Sequence, residues 1–588
     1  MASQQKADPQ ARRLSEVLTG QRAICDAQSE RIVTHQIGAM PIINHILQRM
    51  RLDALLAPAL KSKGKPHKIS TVRVVSLLIR NILVSREPMY GVAEWARNYG
   101  PECFEIWPED FDYLNDDRIG RCLEQVHDAV SSSVVMEIVT HIVNEFHLSL
   151  DELHNDSTSV SLHGNYASAT DESQLHGQKT PAITWGHSKD HRPDLKQLLY
   201  ILTVTEDGGV PIYFQTESGN VADAVTHQST WKIMAQLTGR TDFVYVADCK
   251  LASADNMNFI AQQGGRFITV LPASRKEDST FRTRIAETPD QVSWKIIDQQ
   301  PDNTDSFVEQ IQVCTEPLVS KEGYRILWFH SLSKAIADQA TRARNIERAV
   351  CKLQALRTRL SGPRPRLRQR QQVEKAVAEI LRKGKLESLL QVQVTQEEHV
   401  TYRQVGRGRP SADTKYEQVV TTRFHIQWEL DTKALAQAAG ADGVFPLITN
   451  IRDWEPLEVL RAYKRQPLVE KRFSQFKTDF SVAPVYLKNV RRIAGLFAIY
   501  FFGLMTQALL ERELRLAMQR DKIASLPLYP EGRQCASPTV RQLIDTFELI
   551  SRHSIETADD FRIFYTELAP IHRQILKLLN IHIEDYQS

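Results

Sequence analysis

LHNDSTSVSL, residues Leu153–Leu162, marks the point where the chain changes from a helical period to a two-residue alternation, with Asp156, Thr158, Val160 and Leu162 on one face. Its small and β-branched residues suit a strand. Forward of it, LLYILTVT (Leu198–Thr205), the turn Asp207-Gly208-Gly209 and VPIYFQTE (Val210–Glu217) read as a hairpin. A helical period over Ala222–Leu237 leads to a short buried strand, FVYVA (Phe243–Ala247), which ends at Asp248. A helix over Leu251–Gln263 and a strand, RFITVLP (Arg266–Pro272), follow. Backward of it the spacing is helical, over Met40–Leu56, over Ser70–Ser85 with Ser70 as N-cap, and over Asn115–Glu145. That helical front suits a DNA-binding or dimer-forming module and equally a packing domain.

Three strands followed by alternating helices and strands is the plan of a ribonuclease H-like mixed sheet covered by helices on both faces. The expected fold is therefore mixed α/β (α+β), with a ribonuclease H-like catalytic core, a large insertion domain, and helical N-terminal and C-terminal regions. The expected boundaries are 1–150 for the helical front, 151–290 and 451–515 for the two parts of the core, 291–450 for the insertion and 516–588 for the helical C-terminal region. On this plan Asp156 lies in the middle of the first strand and Asp248 at the carboxyl end of the fourth, its neighbour, although 92 positions separate them. A third acid is expected from a helix on the same sheet. YKRQPLVEKRFSQFK (Tyr463–Lys477) supplies Glu470, and on a continuous helix one face reads Tyr463, Gln466, Glu470, Phe473, Lys477. Arg465, Lys471 and Arg472 crowd the same segment and are expected on DNA phosphates. Hard divalent cations take oxygen ligands, with only one or two carboxylates for each Mg²⁺, so three convergent carboxylates suit two Mg²⁺ (or Mn²⁺) ions acting on a phosphodiester.

A chain of 588 residues exceeds the size at which single cores stop growing, so several domains are expected. With 42% hydrophobic and 24% charged residues the composition is that of a soluble globular protein. The net charge of +2 hides an uneven distribution: Arg342–Lys385 carries fourteen Lys/Arg against three Glu, while Pro101–Asp117 carries seven acids and no base. The seven cysteines are scattered, which supports neither a zinc site nor a disulfide framework, and a reducing cytoplasm is expected. The polar amino-terminal stretch lacks the apolar run of a secretory signal. Ile493–Leu510 is apolar over eighteen residues, contains Gln507, and reads as a buried core helix rather than a membrane span.

The 222 positions from Asp248 to Glu470 imply the inserted domain. Its basic segment reads as two helices joined by a turn at Ser361–Arg366, and Arg364, Arg366 and Arg368 are expected on DNA phosphates. SKDHRPD offers Lys189 and Arg192 in a loop, open to two readings: strand contact or a salt-bridged loop. His187 and His191 lie in the same loop context, which argues against zinc. Trp185 and Trp231 suit either the core or stacking on an unpaired base.

Together these stretches resemble bacterial insertion-sequence transposases of the DDE type, in the group whose third acid sits in a YREK signature. The likeness is carried by HNDSTSVSLHGNY around Asp156, WGHSKDHRPDLKQL, ESGNVAD, YVADCKLAS around Asp248, and Tyr463–Lys477 with the following VAPVYLKNVRRIAGLFAIYF. GAMPIINHIL and LNDDRIGRCLEQV in the helical front are similar too. The resemblance implies Asp156, Asp248 and Glu470 as catalytic metal ligands for two Mg²⁺ or Mn²⁺ ions, and Tyr463 and Lys477 as contacts to transposon-end DNA. It implies double-stranded DNA as partner (terminal inverted repeats and target), a homodimer in a synaptic complex, and a cytoplasmic, nucleoid-associated location in a bacterium. The sequence departs from the signature at Gln466, which stands where the arginine is usual, with Arg465 one place early. Pro467 suits a helix start there. A structure-selective nuclease, or a DNA-binding regulator without catalysis, is the alternative.

Overall fold

A computed structural model of the chain describes residues 31–61, 67–130, 133–166, 169, 174–175, 178–179, 181–301, 308–362, 366–483, 485–556 and 561–586. Arg364 lies outside them. The chain forms two compact units, one of residues 1–267 and 462–588, the other of residues 268–461.

The first unit opens with β1 (Arg31–Gln36), α1 (Met40–Arg49), α2 (Thr71–Val84), α3 (Asp116–Val130) and α4 (Val134–Glu145). Ser70 caps α2 as expected, its hydroxyl accepting from the Arg73 N–H at 3.3 Å. The sheet that follows contains β2 (Glu152–Leu162), β3 (Lys196–Thr205) and β4 (Pro211–Ser218). Then come α5 (His227–Thr238), β5 (Val244–Ala247), α6 (Ala254–Gln262) and β6 (Arg266–Val270), at which the units divide. Strand order in this unit is β4-β3-β2-β5, with β2 antiparallel to β3 and parallel to β5, which is the ribonuclease H-like plan. The β3–β4 turn places Gly208 and Gly209 at φ +81° and +62°, conformations that favour glycine. β2 is buried along its length except at Asp156, which is half-buried, so a central strand opens to solvent only at its acid.

The second unit contains α7 (Lys276–Glu287), β7 (Trp294–Pro301), β8 (Val308–Cys314), β9 (Arg325–Ser331), α8 (Leu332–Leu360) and α9 (Arg370–Gly384). β10 (Leu390–Gln404), β11 (Tyr416–Leu430) and β12 (Val444–Thr449) complete it. The end of β6 joins an antiparallel sheet in the order β6-β12-β9-β8-β7. The basic segment is a pair of helices, as its spacing predicts. Leu353, Leu356, Val373 and Val377 form a core with Phe424 and Ile426 of the β10–β11 ribbon.

α10 (Pro456–Lys464), within which the chain passes back to the first unit, runs into α11 (Pro467–Ser474), a π-helical turn over Gln475–Asp479, and α12 (Val490–Arg520). α12 carries the apolar run; by length and composition it could cross a membrane, yet most of that run is buried, against α1, α2, α3 and β4. It is the expected core helix. α13 (Val540–Phe547), β13 (Ser551–Glu556), β14 (Phe561–Tyr565) and α14 (Pro570–Leu578) follow. Here the expectation of purely helical end regions is corrected. β1 pairs with β13, and β13 with β14, in an antiparallel three-stranded sheet. β1 and β13 come from opposite ends of the chain, and pairing across such a distance leaves no local period to read.

Candidate functional site

The parallel register pairs Asn155 of β2 with Ala247 of β5, so the next positions, Asp156 and Asp248, stand side by side. At one interstrand spacing, about 5 Å, side chains in register on adjacent strands share a face. Both acids are half-buried; Asp156 accepts from the Ser157 N–H at 2.7 Å and Asp248 from the Lys250 N–H at 2.9 Å. Glu470 is exposed in the first turn of α11, which packs on β2 and β3. Tyr463, half-buried at the end of α10, joins the three. Burial pushes its phenol up to about 12, and Asp248, Glu470, Cys249 and Asp156 add their negative field. The Tyr463 hydroxyl therefore lies within the field of all three acids and stays protonated at neutral pH.

The segment is not one continuous helix. α10 ends at Lys464, Arg465 and Gln466 form a turn, and Pro467 opens α11, as the proline predicts. Tyr463 is thus helical, on α10. The π-helical turn shifts the phase before Lys477, so the expected single stripe is broken at both ends.

Turning inward, Arg465 and Gln466 fasten this break to β2. Gln466 is buried, its amide N–H donating to the Asn155 carbonyl at 3.1 Å and its Oε1 facing His154 Nδ1 at 3.0 Å. His154 Nε2 lies 2.7 Å from Glu152 Oε1, and the Arg465 guanidinium grips both Glu152 oxygens, Nε at 2.7 Å. Burial pushes the Glu152 carboxyl up, but Arg465 and His154 more than offset it and hold it below the usual carboxylate range. Arg465, expected on DNA, is thus a brace between α10 and β2. Gln466→Ala is expected to remove the bonds that Gln466 makes to the Asn155 carbonyl and to His154 Nδ1 and to cost about 1–3 kcal/mol, read by urea denaturation.

Other expected DNA contacts are also held by the protein. Arg472 is buried, donating to the Gly209 and Gly208 carbonyls at 2.8 and 2.7 Å and pairing with Glu511 of α12 at 3.0 Å. Lys471 pairs with Glu511 at 3.1 Å. These two corrections have one cause: the basic residues after Glu470 turn toward a buried acid that the sequence reading did not connect to them. Lys477 pairs with Asp190 at 2.5 Å, and Lys189 Nζ donates to the Ser157 carbonyl at 2.6 Å, which holds the SKDHRPD loop beside Asp156. Arg192 forms a salt bridge with Asp194 at 2.8 Å, on the surface. Arg366 and Arg368 are exposed, in the second unit. Trp231 is a core residue, its ring 5.7 Å from Phe243, whereas Trp185 is exposed under the Lys196 ammonium.

Of the groups acting on Tyr463, the three carboxylates are oxygen donors, which suit Mg²⁺ or Mn²⁺, and Cys249 is a thiol. Among the described residues no three His, Cys, Asp or Glu side chains gather into one metal-holding group. Mg²⁺ takes only one or two carboxylates and completes its shell with waters and substrate phosphates, so Asp156, Asp248 and Glu470 are the residues that would hold such ions.

Residues 32–140 match a family model described as a domain of unknown function, DUF4277. That match covers the front of the chain only. No curated protein matches. Among solved structures, a piggyBac transposase synaptic complex with hairpin DNA, determined by cryo-EM, is similar at a TM-score of 0.35 and 8% identity, over 86% of this chain and 76% of that one. A likeness at that score adds nothing to the residues themselves, and the reading below rests on their geometry.

Glu152, His154 and Glu511 were missed by sequence reasoning. For the first two a signal existed: ELHN places polar groups next to one another in a strand whose neighbours predict burial, and buried polar groups must find partners.

Proposed function

We propose that the chain is a DNA transposase of the DDE type, which cuts at transposon ends and joins the freed 3′-hydroxyls to target DNA. The observation that carries this is the register that sets Asp156, on β2, beside Asp248, the residue after β5, in a ribonuclease H-like sheet, with Tyr463 in the field of both and of Glu470. Asp156, Asp248 and Glu470 are the residues that would hold two Mg²⁺ or Mn²⁺ ions. When bound, such ions activate the attacking water or 3′-hydroxyl and stabilise the leaving oxygen. The chain's own residues do the rest. The Tyr463 O–H, kept protonated, donates to a phosphate oxygen beside the acids. Lys189, bonded to the Ser157 carbonyl, and the Lys477–Asp190 pair fix the SKDHRPD loop beside Asp156. Arg465, Gln466 and Arg472 hold α11 against the sheet, so that Glu470 meets the other acids. In-line displacement needs no covalent protein intermediate. The protein works as a homodimer that brings two ends together, in a bacterial cytoplasm.

Tyr463→Phe removes one hydrogen bond to a charged group and is expected to lower cleavage about ten- to a hundredfold without changing thermal stability. A second reading, a DNA-binding regulator without catalysis, draws support from Gln466, which is buried and bonded to the protein where the signature carries an arginine. Purified protein incubated with Mg²⁺ or Mn²⁺ and linear DNA bearing the element's ends separates these readings. Strand transfer supports the transposase, cleavage alone a structure-selective nuclease, and binding alone the regulator.

A further inference from the structure

The two ends of the β10–β11 ribbon differ. At its base Leu390, Phe424 and Ile426 are buried against α8 and α9. From residue 395 to residue 422 no side chain is buried, although the strands stay paired as far as Gln404 and Tyr416. A two-stranded ribbon with both faces in water gains little stability from itself. What it carries at its tip is VGRGRPSADTK (Val405–Lys415).

Between Val400 and Tyr416 the only acid is Asp413, against Arg403, Arg407, Arg409 and Lys415. Arg407 and Arg409 are exposed and have no acidic partner among the described residues, unlike Arg192 and Arg370, which pair with Asp194 and Glu374. Gly406 and Gly408 adopt φ +105° and +141°, and a Cβ on either would meet nothing within 4 Å. These glycines therefore serve the backbone path rather than packing. The path is shaped at its base by the Val405 N–H donating to the Lys415 carbonyl at 2.9 Å and by the Gln404 amide donating to the Gly408 carbonyl at 3.1 Å. Tyr402 and Tyr416, 70% and 54% exposed, flank it.

Two guanidinium groups separated by a residue without a side chain present a thin, strongly positive edge. The minor groove of B-DNA is about 6 Å wide and too narrow for a helix, and A·T tracts narrow it further and deepen the negative potential that draws arginine. A G·C pair places an amino group on the groove floor, in the way of such an edge. Pro410 ends the segment with a fixed φ and no N–H to satisfy.

We propose that Arg407-Gly408-Arg409-Pro410 is a DNA-reading tip that enters the minor groove of A·T-rich duplex, with Arg403 and Lys415 on the flanking phosphates. The proposal rests on the DNA-acting reading above for its polymer, and assigns to it a second contact remote in sequence from the three acids.

The test uses the full chain and labelled short duplexes, A·T-rich, G·C-rich, and G·C-rich with inosine replacing guanine, which removes the minor-groove amino group and leaves the major-groove acceptors. Fluorescence anisotropy at one salt concentration is expected to show A·T and inosine duplexes bound about tenfold more tightly than G·C. In R407A/R409A that preference disappears while G·C binding and Tm are retained; R407K/R409K, which keeps the charge, also loses it. Three results overturn the proposal: equal affinity for all three duplexes, an inosine duplex that behaves as G·C, or a preference that survives R407A/R409A. Failure to bind any duplex contradicts the DNA-acting reading itself, and so is distinguishable from failure of the tip alone.

Discussion

Asp156→Ala, Asp248→Ala and Glu470→Ala are each expected to lower metal-dependent DNA cleavage by a factor of about a thousand, with duplex binding retained. Asp156 and Asp248 are adjacent in register, and Glu470 stands on a helix packed on β2 and β3, its charge acting with theirs on Tyr463. On the proposed reading, removing one of three carboxylates would leave at least one ion with too few anionic ligands, and stabilisers of transition-state charge are worth roughly a hundred- to a thousandfold each. Asp156→Asn keeps the shape and removes the charge, so it should behave like the alanine variant. Glu470 is exposed, and its substitution should leave the fold unaffected. Gel assays of nicking in Mg²⁺, alongside anisotropy on the same DNA, read both halves of the expectation. A variant that still cleaves removes its residue from the site.

Arg472→Ala and Glu511→Ala carry the largest expected effect on stability, about 3–5 kcal/mol each by denaturant titration, because each strands the other's charge in the interior. Arg472 is 1% exposed and Glu511 0% in their side chains, and the guanidinium also satisfies two carbonyls of the β3–β4 turn. Gln475 donates to the second Glu511 oxygen at 3.1 Å. Burial alone would raise the Glu511 pKa, but Arg472, Lys471 and Arg515 more than offset it, leaving it below the usual carboxylate value. A carboxyl depressed in the folded state contributes stability in full above its unfolded pKa, and loses that contribution as pH falls through the folded value. Acid unfolding of the wild type should therefore steepen below about pH 4.3, the unperturbed glutamate value. Glu511→Gln should flatten that limb while lowering stability at neutral pH. The double variant should cost less than the sum of the singles, since the two share one interaction.

Legibility in the sequence followed the range of the interaction. The β2 alternation, the Asp-Gly-Gly turn and the short strand before Asp248 are local patterns, and the order of elements then brings two distant aspartates together. Pro467 announced the start of α11. What local pattern could not convey was which way the basic residues around Glu470 turn. Arg465 and Arg472 look alike in the sequence, and each faces inward because Glu152 and Glu511, far away in the chain, wait there. The outer half of β10–β11 was hidden for the opposite reason. Glu397, Glu398 and Arg403 interrupt the apolar alternation because both faces are wet. The β1–β13–β14 sheet was lost to sequence distance.

The central claim is that Asp156, Asp248 and Glu470 hold a pair of divalent ions between them. Crystals of the protein with terminal-repeat DNA, soaked in Mn²⁺ and measured at the manganese edge, address it directly. The account predicts two anomalous peaks about 3.5–4 Å apart, within coordination distance of the Asp156, Asp248 and Glu470 carboxylates. Manganese bound elsewhere, with Glu470 turned away from both aspartates, would contradict it.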